Sequence, residues 1–130
     1  MGSEAYIRKG RQELSQPTEE GGEKLMKLLT KEIVKRFAEV GSQEDVKDPI
    51  VIVKFFNPTG TGTWFATEYD PEERMFFGYV SLFNDYNNEF GYFSLDELES
   101  YQGKFGLGIE RDMYGSEMTL NQWKNLMGVV

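Results

Sequence analysis

Apolar and polar residues alternate with the two-residue period of a β-strand through the middle of the chain. Clusters of Asn, Asp, Pro and Gly interrupt this alternation at residues 57–62, 70–73 and 84–88, where we expect turns. The pattern therefore predicts four consecutive strands, at Ile50–Phe56, Thr63–Tyr69, Arg74–Phe83 and Glu89–Phe93. Because the first strand is apolar on both faces except at Lys54, we expect it to lie centrally in the sheet.

Regular alternation along the second predicted strand assigns its side chains to two faces. Trp64, Ala66 and Glu68 are expected on one face, and Phe65, Thr67 and Tyr69 on the other.

Helical spacing appears before and after the predicted strands. Apolar residues recur every three or four positions between Leu25 and Val40, and Gly41 follows where a helix would end. Two further helices are predicted after residue 94, and in the second of them Leu120, Trp123 and Met127 share a face. Capping residues mark all three helix starts: Thr30, Ser94 with Glu97, and Thr119 with Gln122.

Together these elements predict an α+β domain with a mostly antiparallel meander sheet of four or five strands. Ile109–Tyr114 is interpreted as either the fifth strand or an ordered arm. The sheet is accompanied by an N-terminal helix, a short capped helix and a C-terminal helix. Residues 1–25 are polar and contain Pro17 and a Gly pair, so we expect a flexible extension before a single domain at 26–130.

The residue types present narrow the possible chemistry. The chain has no cysteine and no histidine, which excludes thiolate chemistry and removes the usual general base near neutral pH. No apolar run approaches the ~18 residues of a membrane span, and no secretory signal is evident at the N-terminus. We expect a cytoplasmic protein with no cofactor and no membrane partner, and a non-enzymatic role is favoured.

Negative charge is concentrated in one segment of the chain. The formal net charge is −8, and residues 68–99 carry nine carboxylates against a single cation, Arg74. The segments on either side are each balanced. Because gripping nucleic-acid phosphates requires Lys and Arg, direct nucleic-acid binding by this segment is disfavoured.

The order of the motifs resembles a known family. The matching stretches are MKLLTKEIVKRF at Met26–Phe37, PIVIVKFF at Pro49–Phe56, TWFATEYDPEERMFFGYV at Thr63–Val80, GYFSLDELES at Gly91–Ser100 and GLGIERDMY at Gly106–Tyr114. Over about residues 26–115 the chain is similar to the small acidic family catalogued as domain of unknown function 2958. Its members are typical of phages, plasmids and conjugative elements, so the resemblance implies a mobile-element accessory protein, without implying an activity.

The leading functional hypothesis is binding of a basic partner protein through an acidic surface. Such a surface could imitate the phosphates of DNA, and a nucleic-acid-binding protein of the host is a candidate partner, which would suit a counter-defence factor. An acidic rim flanked by aromatic rings also remains compatible with charge that serves solubility alone. The candidate partner-binding residues are Glu68, Tyr69, Asp70, Glu72, Glu73, Asp85, Tyr86 and Glu89.

Two alternatives involve other chemistry. Glu68 and Asp70, joined by Glu110 and Asp112, could hold a metal ion in a hydrolase or nuclease. Against this, Asp70 could serve the turn, while Glu68 could pair with Lys54 or Arg74 across the sheet.

The second alternative is single-strand nucleic-acid binding by exposed aromatic residues. The candidates are Trp64, Phe65, Tyr69, Phe76, Phe77, Tyr79, Phe83, Phe90, Tyr92 and Phe93. A hydrophobic core with one or two exposed rings is the competing interpretation.

Overall fold

A five-stranded antiparallel sheet forms the centre of the protein. The computed structural model describes residues 28–83, 88–112 and 117–128. The strands are β1 (Ile50–Val51), β2 (Val53–Phe56), β3 (Thr63–Asp70), β4 (Met75–Ser81), β5 (Glu89–Ser94), β6 (Glu110–Arg111) and β7 (Met118–Thr119). The main sheet has the order β5-β4-β3-β2-β6, and β1 pairs with β7 in a separate two-stranded sheet.

The described chain also contains three α-helices, α1 (Lys31–Val40), α2 (Leu95–Ser100) and α3 (Leu120–Met127), and a 3-10 turn at Lys104–Gly106. This confirms the α+β class and the meander. It also shows that Ile109–Tyr114 contributes a fifth strand, β6, antiparallel to β2. The described residues within 28–70 and 74–128 form one compact unit, and Pro71–Glu73 form an exposed turn. The predicted extension at 1–25 lies outside the described residues.

Local sequence signals account for the helix starts. The Thr30 side chain accepts a hydrogen bond from the amide of Ile33, and the Ser94 side chain accepts one from the amide of Glu97. Thr119 and Gln122 form a reciprocal capping box at the start of α3. Each bond satisfies an amide that the first helical turn leaves free, so the three predicted N-cap residues are confirmed. Of the predicted box of Ser94 with Glu97, the structure shows the bond that the Ser94 side chain accepts.

Each face of the main sheet packs against helices. On one face, Phe37 of α1 and Leu95 and Leu98 of α2 join a cluster that contains Phe55 and Phe76. On the other face, Leu120 and Trp123 of α3 pack with Val51, Phe65 and Tyr79. The third residue predicted for that helical face, Met127, is instead exposed.

A bulge in β3 changes the predicted assignment of its faces. Ala66 lies opposite Gly78, but Glu68 lies opposite Phe77, so the register shifts between Ala66 and Glu68. One extra residue reverses the alternation beyond it. Tyr69 consequently packs with Phe76 on the face that carries Ala66, and the prediction that it shares a face with Phe65 is wrong.

The long first strand predicted at Ile50–Phe56 is divided in two. Ile50 and Val51 pair with β7, while Val53–Phe56 pair with β3 and β6. The amide of Ile52 donates to the carbonyl of Ala66 between them. β2 therefore lies inside the sheet as predicted, but its first two residues belong to a second sheet.

Candidate functional site

Four carboxylates of the 68–99 segment lie at one end of the main sheet. Asp70 at the end of β3 is opposite Met75, and Met75 is opposite Ser94, which caps α2. The end of β3, the start of β4 and the start of α2 therefore adjoin. We call this region, formed by Asp70, Arg74, Asp96, Glu97 and Glu99, the acidic end.

Arg74 holds the acidic end together. Its Nε atom lies 2.7 Å from Oδ1 of Asp96, and its Nη2 atom lies 3.4 Å from Oε1 of Glu99. Arg74 has a φ of 53°, in the left-handed region that non-glycine residues seldom adopt. Its carbonyl accepts a hydrogen bond from the amide of Leu95. The backbone thus places the guanidinium against the first helical turn, where carboxylates are also favoured by the helix dipole.

The charges of the acidic end act on the pKa of the Tyr69 hydroxyl. Its ring packs 4.8 Å from that of Phe76, and burial raises the pKa of its hydroxyl to about 12. Arg74 opposes the increase in this pKa, while Glu99, Asp96 and Asp70 add to it. Three carboxylates from β3 and α2 therefore act on one hydroxyl group, in keeping with the adjacency of these two elements at this end of the sheet.

Glu68 has a local structural role. Its Oε2 atom accepts a hydrogen bond of 2.9 Å from the amide of Gln43. The buried Gln43 side chain in turn donates to the carbonyls of Ile50 and Thr67 and accepts from the Ile50 amide. Glu68 thus anchors the linker that follows α1, and the structure does not pair it with Lys54 or Arg74.

The remaining candidate partner-binding residues fall in different places. Glu72 and Glu73 are exposed in the turn after β3. Glu89 is exposed but lies opposite Val80, five residues along β4 from Met75, or about 17 Å from the acidic end. Asp85 and Tyr86 lie outside the described residues. The structure thus separates Glu89 from Asp70 rather than bringing them onto one rim.

The four carboxylates considered as metal ligands, Glu68, Asp70, Glu110 and Asp112, do not lie together in the structure. Glu110 lies opposite Phe56 in β6, and Oδ2 of Asp112 forms a 2.9 Å ion pair with Nζ of Lys54. Glu68 and Asp70 are at the far end of β3. Within residues 28–83, 88–112 and 117–128, no group of three or more acidic side chains is placed to hold a metal ion.

The aromatic residues divide between core and surface. Phe65, Phe76, Tyr79 and Phe93 are buried, and Trp64, Tyr69 and Phe77 are half-buried. Phe83, Phe90 and Tyr92 are exposed. Most of the rings therefore form core, and the exposed ones lie in β5 or shortly after β4.

The sequence reasoning missed long-range ion pairs. Among them are the pairs of Arg74 with α2, of Lys54 with Asp112 and of Arg36 with Glu117. Arg74 was the only cation in the acidic segment, which was a usable signal for the first. No signal linked Lys54 to Asp112, because 58 residues separate them and only the β2–β6 pairing brings them together.

Comparisons with known proteins identify the family without indicating an activity. No curated protein and no solved structure matches the chain. Among the described residues, none of the helices has the length and apolar character required to cross a bilayer. A family model described as "Protein of unknown function (DUF2958)" matches residues 27–127. The chain belongs to this family.

Proposed function

We propose that this protein is a non-enzymatic binding protein that engages a basic partner protein through the acidic end. The observation that carries the proposal is the pairing of Asp96 and Glu99 with Arg74 at the end of the sheet where Asp70 also acts on the Tyr69 hydroxyl. Among the described residues of the acidic end, carboxylates outnumber the cation, which supports a negative local potential. A concentrated anionic surface increases the rate of encounter with a basic protein and disfavours acidic ones.

The negative charge of the acidic end also favours one kind of partner protein. A surface with closely spaced carboxylates resembles a run of phosphates, so a nucleic-acid-binding protein is the best candidate. The phage and plasmid setting suggested by the family resemblance would suit an accessory factor that acts in the cytoplasm on such a host protein. Glu72 and Glu73, which continue the carboxylate run in the sequence, extend this proposal.

The test compares two charge-reversed variants that carry the same change in net charge. The acidic-end variant combines Asp70→Lys with Glu97→Lys, and the control combines Glu44→Lys with Glu110→Lys at exposed positions elsewhere. Each protein is immobilised and used to capture proteins from an extract of the source cells, followed by mass spectrometry. Thermal melts establish that both variants are folded.

We expect the wild type and the control to retain the same basic proteins and the acidic-end variant to lose them. Added duplex DNA should release those proteins from the wild type if phosphates are imitated. Equal capture by the acidic-end and control variants would refute the proposal. Raised salt should also reduce capture, because it screens exposed charges beyond about 10 Å at 0.1 M.

A further inference from the structure

Strand β5 lies at the edge of the main sheet. It spans Glu89–Ser94, and β4 pairs with one of its sides. Among the described residues no strand pairs with its outer side. The other edge strand, β6, has two residues, so β5 offers the longer free edge. Exposed edges of this length are available to receive an added strand unless they are blocked.

The outward hydrogen-bonding groups of β5 belong to Phe90 and Tyr92. The amide of Leu95 donates a hydrogen bond to the carbonyl of Arg74. Arg74 and Leu95 are therefore a hydrogen-bonded pair at the end of the β4–β5 ladder. Hydrogen-bonded and non-bonded pairs alternate along an antiparallel ladder. The hydrogen-bonded pairs between β4 and β5 are therefore Phe76 with Phe93, Gly78 with Gly91, and Val80 with Glu89. The amides and carbonyls of the intervening residues, Phe90 and Tyr92, therefore point to the free edge.

The aromatic rings of this edge form an exposed apolar face. The side chains of Phe90 and Tyr92 are 47% and 76% exposed. Their rings lie 6.0 Å and 5.0 Å from that of Phe77 in β4, so they form a connected group. On the same face, further across the sheet, Trp123 of α3 packs 6.3 Å from Phe65. The edge thus combines free backbone groups with an aromatic surface that could receive alternate side chains.

Negative charge stands at both ends of this edge. Glu89 begins β5, and Glu97 follows its end within α2, next to Asp96, which is paired with Arg74. No lysine or arginine occurs between residues 75 and 103. An incoming strand is therefore matched in charge when it carries Lys or Arg on both sides of its apolar centre.

We propose that β5 receives an extended segment of a partner protein, with apolar side chains at alternate positions and basic residues at both flanks. Main-chain bonds to Phe90 and Tyr92 would supply affinity, and the rings of Phe77, Phe90 and Tyr92 would select the alternate side chains. This inference deepens the proposed function, since it names the form of the basic partner. The acidic end adjoins one end of the docked segment.

A second copy of this chain fits the edge less well. Antiparallel pairing of two β5 strands with Phe90 opposite Tyr92 would place Glu89 of one copy opposite Phe93 of the other, close to the carboxylates at the start of α2. The same approach of like charges would recur at both ends of the joint and would disfavour it. A single-stranded oligonucleotide could stack on the rings, but its phosphates would meet the same carboxylates.

The probe is a fluorescein-labelled synthetic peptide with valine at alternate positions, threonine between them and two lysines at each end. A matched peptide carries N-methyl groups on the amides that would bond to the edge, which leaves charge and apolar content in place. Binding to the full chain is measured by fluorescence anisotropy. Amide exchange of Phe90 and Tyr92 is followed by NMR, and a labelled oligo(dT) is titrated separately.

We expect the first peptide to bind and to slow exchange at Phe90 and Tyr92, and N-methylation to weaken binding about tenfold or more. Tyr92→Pro removes an outward amide without breaking the inner ladder and should weaken binding similarly, whereas Tyr92→Thr keeps that amide and should bind more tightly than the proline variant. Failure of the peptide to bind, equal binding of the N-methylated peptide, or protection elsewhere would each overturn the proposal.

Oligo(dT) that displaces the peptide from the rings, or a dimer of the chain that Tyr92→Pro dissociates, would also overturn it in favour of another occupant. The two proposals can fail separately. If charge reversal at Asp70 and Glu97 abolishes capture while the peptide does not bind, the acidic-end function survives and the strand-docking inference fails. If the peptide binds but charge reversal does not affect capture, the strand-docking inference survives and the acidic-end function fails.

Discussion

Lys54 and Arg74 are cations on the same sheet, yet their surroundings differ in burial and in the number of carboxylates they meet. The Lys54 and Asp112 side chains are 10% and 14% exposed, and their charged groups form an ion pair of 2.9 Å. The Lys54 Nζ atom also lies 4.6 Å from the ring centre of Trp123. Arg74 is 35% exposed and is shared between Asp96 and Glu99.

This difference separates a structural charge from a surface one. Around Lys54 the side chains are largely buried, so removing one member of the ion pair with Asp112 is costly. At the acidic end, water screens each pair, and additional carboxylates can be tolerated at little cost to folding. The largely buried pair thus serves the fold, while the more exposed ion pairs of the acidic end contribute less to stability.

The largest expected effect comes from breaking the interior pair. Lys54→Met removes the ammonium that pairs with the largely buried Asp112 carboxylate, and we expect the free energy of unfolding to fall by about 3 kcal/mol. Chemical denaturation measures this change. Adding Asp112→Leu to Lys54→Met removes the stranded charge and should recover most of the loss. A single variant as stable as the wild type would show that the pair is effectively solvated.

An intermediate effect is expected at high pH from Tyr69. Its folded-state pKa of about 12 exceeds the ordinary value of 10.0, so the folded state retains the proton after the unfolded state has lost it. Stability from this group is therefore present below pH 10 and is lost as the pH rises towards 12. Unfolding measurements across this range should show a steeper decline for the wild type than for Tyr69→Phe, and parallel curves would contradict the assignment.

The smallest effects are expected from changing the charges of the acidic end one at a time. Arg74→Gln should cost about 1 kcal/mol or less, because its ion pairs are partly exposed. It should raise the pKa of Tyr69, whereas Glu99→Gln should lower it, since the two charges act on that hydroxyl in opposite directions.

Absorbance titration of tyrosinate, taken as a difference from Tyr69→Phe, measures these pKa changes. Glu110→Gln, in β6, is the matched control and should leave the pKa of Tyr69 unchanged. If Arg74→Gln destabilised the protein as strongly as Lys54→Met, the distinction between the two cations would not hold.

Local sequence signals were sufficient for the elements but not for the site. The caps at Thr30, Ser94 and Thr119 were predictable because each bond joins residues three apart. Glu68 and Asp70 were predicted to act together, yet Glu68 is engaged by Gln43, whose role depends on the return of the linker to β3. No feature of the polar sequence around Gln43 indicated that contact.

The bulge in β3 shows why alternation alone was insufficient. Ala66 and Glu68 were expected to share a face, but their partners Gly78 and Phe77 are adjacent in β4 and point to opposite faces. A Cβ atom at Gly78 would lie 1.9 Å from the carbonyl oxygen of Phe65, so β3 and β4 approach closely at this point. Because of the bulge, Tyr69 lies on the face of the sheet that packs against α1, where its ring contacts that of Phe37. The charges of the acidic end act on its pKa there.

The sequence by itself determined the helix starts, the run of hairpins and the confinement of net charge to residues 68–99, because these depend on neighbouring residues and on composition. Tertiary structure alone decided which carboxylates converge on Arg74, which cation is buried with Asp112, and which strand is left at the edge. Those outcomes depend on strand order and register, in which residues far apart in the chain become neighbours.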